Sequence, residues 1–396
     1  MQLTEEFLSK TMQPLNGSAI REIFHLLGRP GMISFAGGNP AMSALEPDVI
    51  RQIACEAIDR YGPAILQYGA TEGLGALREG TAKFVSSTGI RADASQVLPT
   101  QGSGQGLDLL LKALINPGDA VLVEAPTFLG ALQAMRTYGA QLVPLKTDEG
   151  GVDVDALEQA IQVHHPKMAY LIPTFQNPSG RTLRMERRRP IAELAAKYGV
   201  VIAEDDPYRD VRFSGDPLPA IASWDEEGWV VYLTSFSKII SPGLRVGAAI
   251  VRNPVLMRKM VIGKQSVDVH SPLLTQAIVA GYLEKGILPA HIRSICRNYK
   301  QQLDLMLKKL DELPEECCHT VPEGGLFVWS ELPERVDALA MMRECVDAGV
   351  AYVPGTHFYP EEGTHLNTLR LNFSNSELPQ IEEGMEKLNR VIRKRL

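Results

Sequence analysis

At 396 residues, the chain is long enough for two domains and a sizeable hydrophobic core. An apolar content of 45% and a charged content of 22% are ordinary for a globular protein, and a formal charge of −7 argues against a nucleic-acid-binding surface. No apolar run approaches the length of a membrane span, and the first residues lack the pattern of a secretory signal. Because the five cysteines are odd in number and scattered, we expect a cytoplasmic protein with reduced thiols and no metal site.

Residues 1–45 are expected to form an N-terminal arm and a helix that belong to a smaller domain. In "NGSAIREIFHLL", Ser18 suits a helix N-cap, and the apolar residues after it follow a helical spacing. Residues 46–286 form the predicted large domain, and residues 287–396 form the rest of the smaller one.

Seven short apolar segments in the large domain predict buried strands. In chain order they are "VLPT", "AVLVEAP", "QLVPLK", "MAYLIP", "VVIAEDD", "VVYLTSF" and "RVGAAIV". Helical stretches lie between most of them, such as the one with Leu107, Leu110 and Leu114 on one face, and "ERRRPIAELAAKYG", which ends at Gly199. This alternation predicts an α/β fold with a mainly parallel seven-stranded sheet covered on both faces.

The C-terminal part has a different pattern. A long helix from about Leu288 to Leu313 is followed by "GGLFVWSEL", a helix near Ala338–Gly349, "VAYVP", "TLRLNFS" and a final helix that reaches Arg393. Few parallel crossovers can be drawn between these elements, so we expect an α+β unit.

Polar residues follow several of the predicted strands, where chemistry gathers in an open α/β sheet. They are Ser103 and Gly104 in "QGSGQG", Asn177 in "FQNPSG", Asp205 and Tyr208 in "EDDPY", Ser235, Ser237 and Lys238 in "TSFSK", and Arg245. Singly, each has an ordinary reading as a turn, a cap or a solvated charge. Together they place an anion cradle, a carboxylate, a phenol, an amide and a lysine at successive strand ends. No dinucleotide or Walker fingerprint is present, because "GSGQGL" does not complete G-x-G-x-x-G.

This order of motifs resembles the fold-type I pyridoxal-phosphate enzymes. The resemblance extends from "SAIREI" through "ISFAGGNPA", "QYGATEGLGALRE" and "PEGGLFVW" to "LRLNFS". It is nearest to the class I/II aminotransferases of the 2-aminoadipate and kynurenine aminotransferase group. The resemblance implies a pyridoxal 5'-phosphate (PLP) cofactor and transfer of an amino group from an L-amino acid to a 2-oxo acid, with 2-oxoglutarate as the expected acceptor and a broad donor range.

The resemblance also implies roles around the cofactor. Lys238 forms the covalent link to the cofactor and moves the substrate proton. Asp205 pairs with the pyridine nitrogen, and Tyr208 and Asn177 contact the phenolic oxygen of the ring. The phosphate is held by Ser103, Gly104, Ser235, Ser237 and Arg245. Phe128 corresponds to an aromatic residue that stacks on the ring, although it could equally be ordinary core.

Four further residues are assigned by resemblance. Arg370 clamps the substrate α-carboxylate, for which its fork is suited, and Gly38 and Asn177 also meet the substrate. Tyr68 reaches the phosphate in a neighbouring subunit, which implies a homodimer with shared active sites. Arg21 reads the far end of the substrate in 2-aminoadipate enzymes, but it could also be a solvated surface residue.

The sequence departs from the family pattern at two of these positions. Gly104 stands where relatives often have glutamine, so only its backbone can serve the phosphate. Phe128 stands where many have tyrosine, which removes a phenol near the ring. Neither change threatens cofactor binding.

Two other functions are open on the same residues. A β-lyase or a decarboxylase would use the same scaffold and would keep the carboxylate anchor. The aminotransferase-like domain of a transcription regulator is disfavoured, because the family resemblance begins by about Ser18 and leaves no room for a DNA-binding module.

Overall fold

The structure is a computed structural model that describes residues 4–13, 15, 31–361 and 363–396. The strands are β1 (Ile33–Ser34), β2 (Val97–Thr100), β3 (Ala120–Glu124), β4 (Gln141–Leu145), β5 (Thr147–Asp148), β6 (Gly151–Val152), β7 (Met168–Leu171), β8 (Val201–Asp205), β9 (Val230–Ser235), β10 (Gly247–Ile250), β11 (Cys318–His319), β12 (Phe327–Glu331), β13 (Val350–Ala351), β14 (Val353–Pro354) and β15 (Thr368–Asn372).

The helices of the described residues are α1 (Pro47–Tyr61), α2 (Gly75–Ser86), α3 (Ser103–Leu114), α4 (Leu129–Thr137), α5 (Val154–His164), α6 (Met185–Tyr198), α7 (Pro254–Val267), α8 (Leu273–Glu284), α9 (Leu288–Leu310), α10 (Ala338–Asp347) and α11 (Leu378–Arg395). Short 3₁₀ turns occur at Glu5–Phe7, Met42–Ala44, Gly62–Leu66, Ala94–Gln96, Ile221–Trp224, Pro242–Leu244 and Gly355–Phe358. None of the helices described combines the length and apolar character needed to cross a membrane.

The large sheet has seven strands in the order β2-β10-β9-β8-β7-β3-β4. Strands β4, β3, β7, β8 and β9 pair in parallel, whereas β10 is antiparallel to both of its neighbours. The predicted mainly parallel seven-stranded sheet is confirmed. Since β10 alone runs backwards, its first residue lies at the same edge as the last residues of the other strands.

Both faces of this sheet are covered by packed helices and loops. Side chains alternate between two hydrophobic clusters, so that Val121 and Leu233 face one of them while Leu122 and Tyr232 face the other. Apart from the partly exposed edge strand β4, the strands are therefore buried on both sides, which is why they appear in the sequence as apolar runs.

The C-terminal part contains a four-stranded antiparallel sheet in the order β11-β12-β15-β14. Helix α9 ends at Leu310, three residues before the predicted limit, because Pro314 disfavours helical backbone in the residue before it. Strand β1 pairs with β13, near the C-terminal helices, and not with the large sheet. This pairing accords with the predicted attachment of the N-terminal arm to the smaller domain, but the boundaries at 45/46 and 286/287 stay predictions.

Candidate active site

The predicted polar residues meet at one edge of the seven-stranded sheet. Strands β8 and β9 end at Asp205 and Ser235, and Asn177 comes shortly after the end of β7. Helix α3 begins at Ser103, just after β2, and Arg245 precedes the reversed strand β10. The parallel pairing of β7, β8 and β9 brings Asn177, Asp205 and Ser235 together. The insertion of β10 between β2 and β9 brings Ser103 and Arg245 to the same edge.

Asp205 is a buried carboxylate with one oxygen held and one free. Its Oδ2 accepts a hydrogen bond of 2.7 Å from the hydroxyl of Tyr170, on the neighbouring strand β7. Its Oδ1 is buried and accepts no hydrogen bond from the described part of the chain. Burial raises the pKa of Asp205 to about 6, although the hydroxyls of Tyr170 and Ser103 oppose the rise. A donor that arrived at Oδ1 would complete the hydrogen bonding of this group.

Arg370 on β15 lies in a buried polar chain with Asn177 and Tyr208. Its Nη1 donates to Asn177 Oδ1 at 2.9 Å, its Nη2 donates to the carbonyl of Ala36 at 2.6 Å, and Asn177 Nδ2 donates to the Tyr208 hydroxyl at 3.3 Å. Burial lowers the pKa of Arg370 to about 10 and raises the pKa of Tyr208. The Nε of Arg370 is buried and has no partner among the described residues, so its N–H remains available for an anionic ligand.

Two aromatic rings position the guanidinium of Arg370. Its Cζ lies 4.2 Å from the ring centre of Phe327 and 4.9 Å from that of Phe358. Such contacts favour a cation and leave the hydrogen-bonding edge of the guanidinium free. The same Phe327 ring restricts Gly38, where a Cβ atom would come within 3.3 Å of it.

Lys238 follows β9 with its amine turned toward the N-terminal segment. Its Nζ donates a hydrogen bond of 2.8 Å to the carbonyl of Gly38. Burial, together with the positive charges of Arg370 and Arg245, lowers the pKa of Lys238 to about 8. The amine therefore lies in the field of both guanidinium groups and loses its proton more readily than an exposed lysine.

The residues around Ser103 form a cradle for an anion. Gly102 has a φ of 79°, which favours glycine, and a Cβ atom there would lie 3.1 Å from Arg245 Nη2. The N-terminus of α3 presents free backbone amides at Ser103 and Gly104. Ser235 Oγ donates to Ser237 Oγ at 3.0 Å, so these two hydroxyls also lie together.

Three other predicted residues have no contact with these groups that the structure describes. Phe128 is the N-cap of α4 and packs partly buried against the main hydrophobic cluster. Tyr68 is 81% exposed, and its ring meets the edge of His270, at 6.0 Å between centres. Arg21 lies outside the described residues. The roles assigned to all these residues stay predictions.

A family model, aminotransferase class I and II, matches residues 30–388. The chain belongs to this family. An aromatic-amino-acid aminotransferase 1 from Thermococcus litoralis is 41% identical, and the match covers 99% of this chain and 95% of that protein.

Two solved structures extend the similarity to the whole fold. A kynurenine aminotransferase from Pyrococcus horikoshii, in complex with PMP, has a TM-score of 0.94 and 39% identity, covering 99% of this chain and 98% of that chain. An α-aminoadipate aminotransferase from Thermus thermophilus, complexed with N-(5'-phosphopyridoxyl)-L-leucine, has a TM-score of 0.91 and 36% identity, covering 98% of each chain. The chain is a PLP-dependent aminotransferase with the type I fold.

The residues present fit PLP. The free Oδ1 of Asp205 is an acceptor buried where the cofactor ring nitrogen would require one, and the glycine-built cradle at Ser103 suits a phosphate. Lys238 supplies an amine whose pKa is already lowered, as covalent attachment to an aldehyde requires. These three features together match the cofactor of the family.

Sequence patterns did not identify Tyr170 or the two aromatic neighbours of Arg370. Tyr170 is the third residue of a buried strand, where a tyrosine is ordinary core, and only its distance to Asp205 shows its partner. Phe327 opens strand β12, and Phe358 lies on a short turn, so neither has a motif of its own. The one sequence signal that could have pointed to Tyr170 was its position on the strand that precedes Asn177.

Proposed function

We propose that Lys238, Asp205 and the surrounding polar groups bind PLP and catalyse amino-group transfer. Bound PLP supplies an aldehyde that takes up the amino group and a protonated ring that withdraws electrons from the substrate α-carbon. Asp205 would hold the ring nitrogen through Oδ1, while Tyr170 fixes the other oxygen. Lys238 would carry the proton on Nζ between the substrate and the cofactor, and burial lowers the pKa of that amine to about 8, so it loses its proton more readily than an exposed lysine.

The binding groups orient the reactants on two sides of Lys238. Ser103, Gly104 and Arg245, with the two hydroxyls after β9, take the phosphate on one side. Arg370 takes the substrate α-carboxylate on the other side, through its free Nε and the remaining N–H groups of its guanidinium. Both guanidinium groups lower the pKa of Lys238, which supports a position of the amine between the two anion sites.

Arg370 is the observation that carries the assignment of an α-amino acid as substrate. A buried guanidinium that lacks a carboxylate partner is costly, and here it is held by two aromatic rings, an amide and a carbonyl. A substrate carboxylate would supply the missing charge. We infer that every donor, whatever its side chain, is anchored in this way.

The donor range is proposed to be broad and to include 2-aminoadipate, with 2-oxoglutarate as the acceptor. Relatives of the whole chain are named for aromatic amino acids, kynurenine and α-aminoadipate, and one of them holds a phosphopyridoxyl adduct of leucine. These names cover acidic, aromatic and aliphatic side chains, so a site of this build accepts several classes of donor.

A panel of donors tests this proposal. The holoenzyme is mixed with 2-aminoadipate, glutamate, kynurenine, phenylalanine, leucine or alanine, and the conversion of the cofactor from its aldehyde to its amine form is followed by absorbance. We expect conversion with donors of all three classes and its reversal by 2-oxoglutarate. An S-substituted cysteine is added to the panel. Release of CO₂ without conversion of the cofactor would instead indicate a decarboxylase, and release of ammonia without conversion would indicate a β-lyase.

Arg21 is proposed, from its place in the sequence alone, to contact the distal carboxylate of acidic donors. A charged hydrogen bond contributes roughly 1.5–3 kcal/mol, so Arg21→Ala is expected to lower kcat/KM at least about tenfold for 2-aminoadipate and much less for leucine. Equal losses with both donors would contradict this role.

A cytoplasmic homodimer is proposed as the working form. The large exposed side chains of Tyr68 and Leu66, which are 81% and 73% accessible, support a face that a second copy covers. Sedimentation of the purified holoenzyme tests this, and a monomer at micromolar concentration would contradict it.

A further inference from the structure

A buried ion pair lies directly behind the phosphate cradle. Lys264 on α7 has a side chain with no exposed surface, and its Nζ donates to both carboxylate oxygens of Asp268, at 2.9 and 3.0 Å. The same Nζ also donates to Gln105 Oε1 at 2.8 Å and to Ser271 Oγ at 3.0 Å. Every proton of the ammonium group is used, so the buried charge is fully compensated.

Two acceptors of Lys264, Asp268 and Gln105, also hold the cradle loop, which is the segment with Gln101 and Gly102 that leads into helix α3. Gln101, the residue before Gly102, donates its side-chain Nε2 to Asp268 Oδ2 at 2.7 Å and its backbone N–H to Gln105 Oε1 at 2.9 Å. Gln105 also donates to Asp268 Oδ2, at 2.8 Å. The loop is thus held at two points: the backbone N–H of Gln101 binds Gln105 Oε1, and its side chain binds Asp268 Oδ2.

The loop in turn orients Arg245. The Nη2 of Arg245 donates to the carbonyl of Gln101 at 3.0 Å, and this guanidinium lies over Gly102, where a Cβ atom would approach within 3.1 Å. Arg245 itself is exposed, and its only other hydrogen bond among the described residues is a long one, from Nη1 to the carbonyl of Pro242 at 3.4 Å. The position of Gln101 therefore helps to set where both the α3 amides and the Arg245 charge point.

We propose that Lys264, with Asp268, is a positioning residue for the cofactor phosphate. The ion pair fixes Gln101 and Gln105, and these fix the cradle loop and Arg245 in the arrangement that binds the phosphate. This inference rests on the proposed phosphate-binding role of Ser103, Gly104 and Arg245. Lys264 touches neither cofactor nor substrate, so its effect passes through the loop alone.

The proposal predicts a loss that depends on the phosphate. Lys264→Met keeps an unbranched apolar side chain of nearly the same length but leaves Asp268 and Gln105 without their central donor. We expect the Kd for PLP to rise roughly ten- to a hundredfold, by analogy with the loss of metal affinity when a group that orients a metal ligand is removed. Binding of pyridoxal, which lacks the phosphate but still meets Asp205 and Lys238, is expected to change less than about twofold.

The experiment titrates enzyme freed of cofactor with PLP and with pyridoxal, following protein fluorescence and cofactor absorbance. Lys309→Met is the matched control: Lys309 is also a buried lysine paired with carboxylates, Glu386 among them, but it lies on α9 in the C-terminal part. This control is expected to bind both compounds as the parent enzyme does. Equal losses of PLP and pyridoxal in Lys264→Met, or an unchanged Kd for PLP, would overturn the proposal.

Two further variants keep the test decisive. Gln101→Leu removes only the link from the loop to Asp268 and leaves the ion pair buried, so it tests the proposal even if Lys264→Met does not fold, and the same selective loss of PLP is expected. Arg245→Met tests the phosphate assignment itself. If Arg245→Met fails to weaken PLP relative to pyridoxal, the phosphate site is wrong; if it succeeds while Lys264→Met and Gln101→Leu do not, only the positioning role is wrong.

Discussion

Replacing Asp205 with asparagine changes one charge in the site and almost none of its volume. In the structure, Oδ2 accepts a hydrogen bond from Tyr170 at 2.7 Å, and Oδ1 is buried and free. The asparagine carbonyl can keep the bond from Tyr170, which turns the amide nitrogen toward the position of Oδ1. A donor then faces the ring nitrogen where an anionic acceptor stood, so the protonated ring is no longer stabilised.

The size of the effect follows from this exchange. A hydrogen bond to a charged group contributes roughly 1.5–3 kcal/mol, and a loss of that size is about a 10- to 150-fold fall in kcat/KM. Tyr170→Phe keeps the charge of Asp205 but releases Oδ2, so we expect a smaller fall, of about tenfold or less, consistent with the loss of one hydrogen bond.

The assay is the first half-reaction, in which the cofactor of each variant is converted by glutamate under single-turnover conditions. Asp210→Asn is the control, because burial raises the pKa of Asp210 to about 6 as it does for Asp205, although Asp210 has no proposed place in the site. The reasoning is refuted if Asp205→Asn reacts at the parent rate, or if Asp210→Asn falls as far as Asp205→Asn does.

Four other outcomes are expected. Lys238→Ala should retain PLP through the phosphate site and Asp205 but lose nearly all transamination; turnover near the parent rate would show that another group moves the proton. The rate at which PLP attaches to cofactor-free enzyme should rise about tenfold per pH unit up to about 8 and then level off, because burial lowers the pKa of Lys238 to about 8 and only the neutral amine attacks; a rate independent of pH between 6 and 9 would contradict this. Arg370→Lys should lower kcat/KM about tenfold or more for acidic and apolar donors alike, since a single ammonium replaces the two-pronged carboxylate contact, and a loss confined to acidic donors would contradict the α-carboxylate role. Mixing Tyr68→Phe subunits with Lys238→Ala subunits should restore activity through heterodimers with one intact site, and no recovery after demonstrated subunit exchange would mean that Tyr68 acts within its own subunit.

The strands and the polar residues at their ends could be predicted from the sequence. Six of the seven strands of the large sheet are buried along almost their whole length, and only the edge strand β4 is partly exposed, so most strands are apolar runs that a polar cluster terminates. This is why Asn177, Asp205 and Lys238 were found without the structure. The order of the strands could not be predicted in the same way, because no local pattern indicates that β10 lies between β2 and β9.

The residues that support the site were missed for a related reason. Lys264 occurs within an amphipathic helix, where a lysine is ordinarily solvated, and its burial depends on Gln105 and Ser271, which lie in other segments. Phe327 and Phe358 belong to an apolar background in which no position stands out. Their contact with Arg370 depends on packing between distant parts of the chain, which periodicity does not encode.

The meeting of β2, β9 and β10 joins parts of the chain that are far apart in sequence: the hydrogen bond from Arg245 to Gln101 spans 144 positions. A phosphate bound at the proposed cradle would hold together segments that have no affinity for it once they separate on unfolding. Ligand that binds only the native chain stabilises it by about 2.7 kcal/mol when present at a hundred times its Kd. Cellular supply of the vitamin B6 cofactor would then set how long each copy of this enzyme survives proteolysis as well as how fast it works, and cofactor-starved cells should hold less of the protein at equal rates of synthesis.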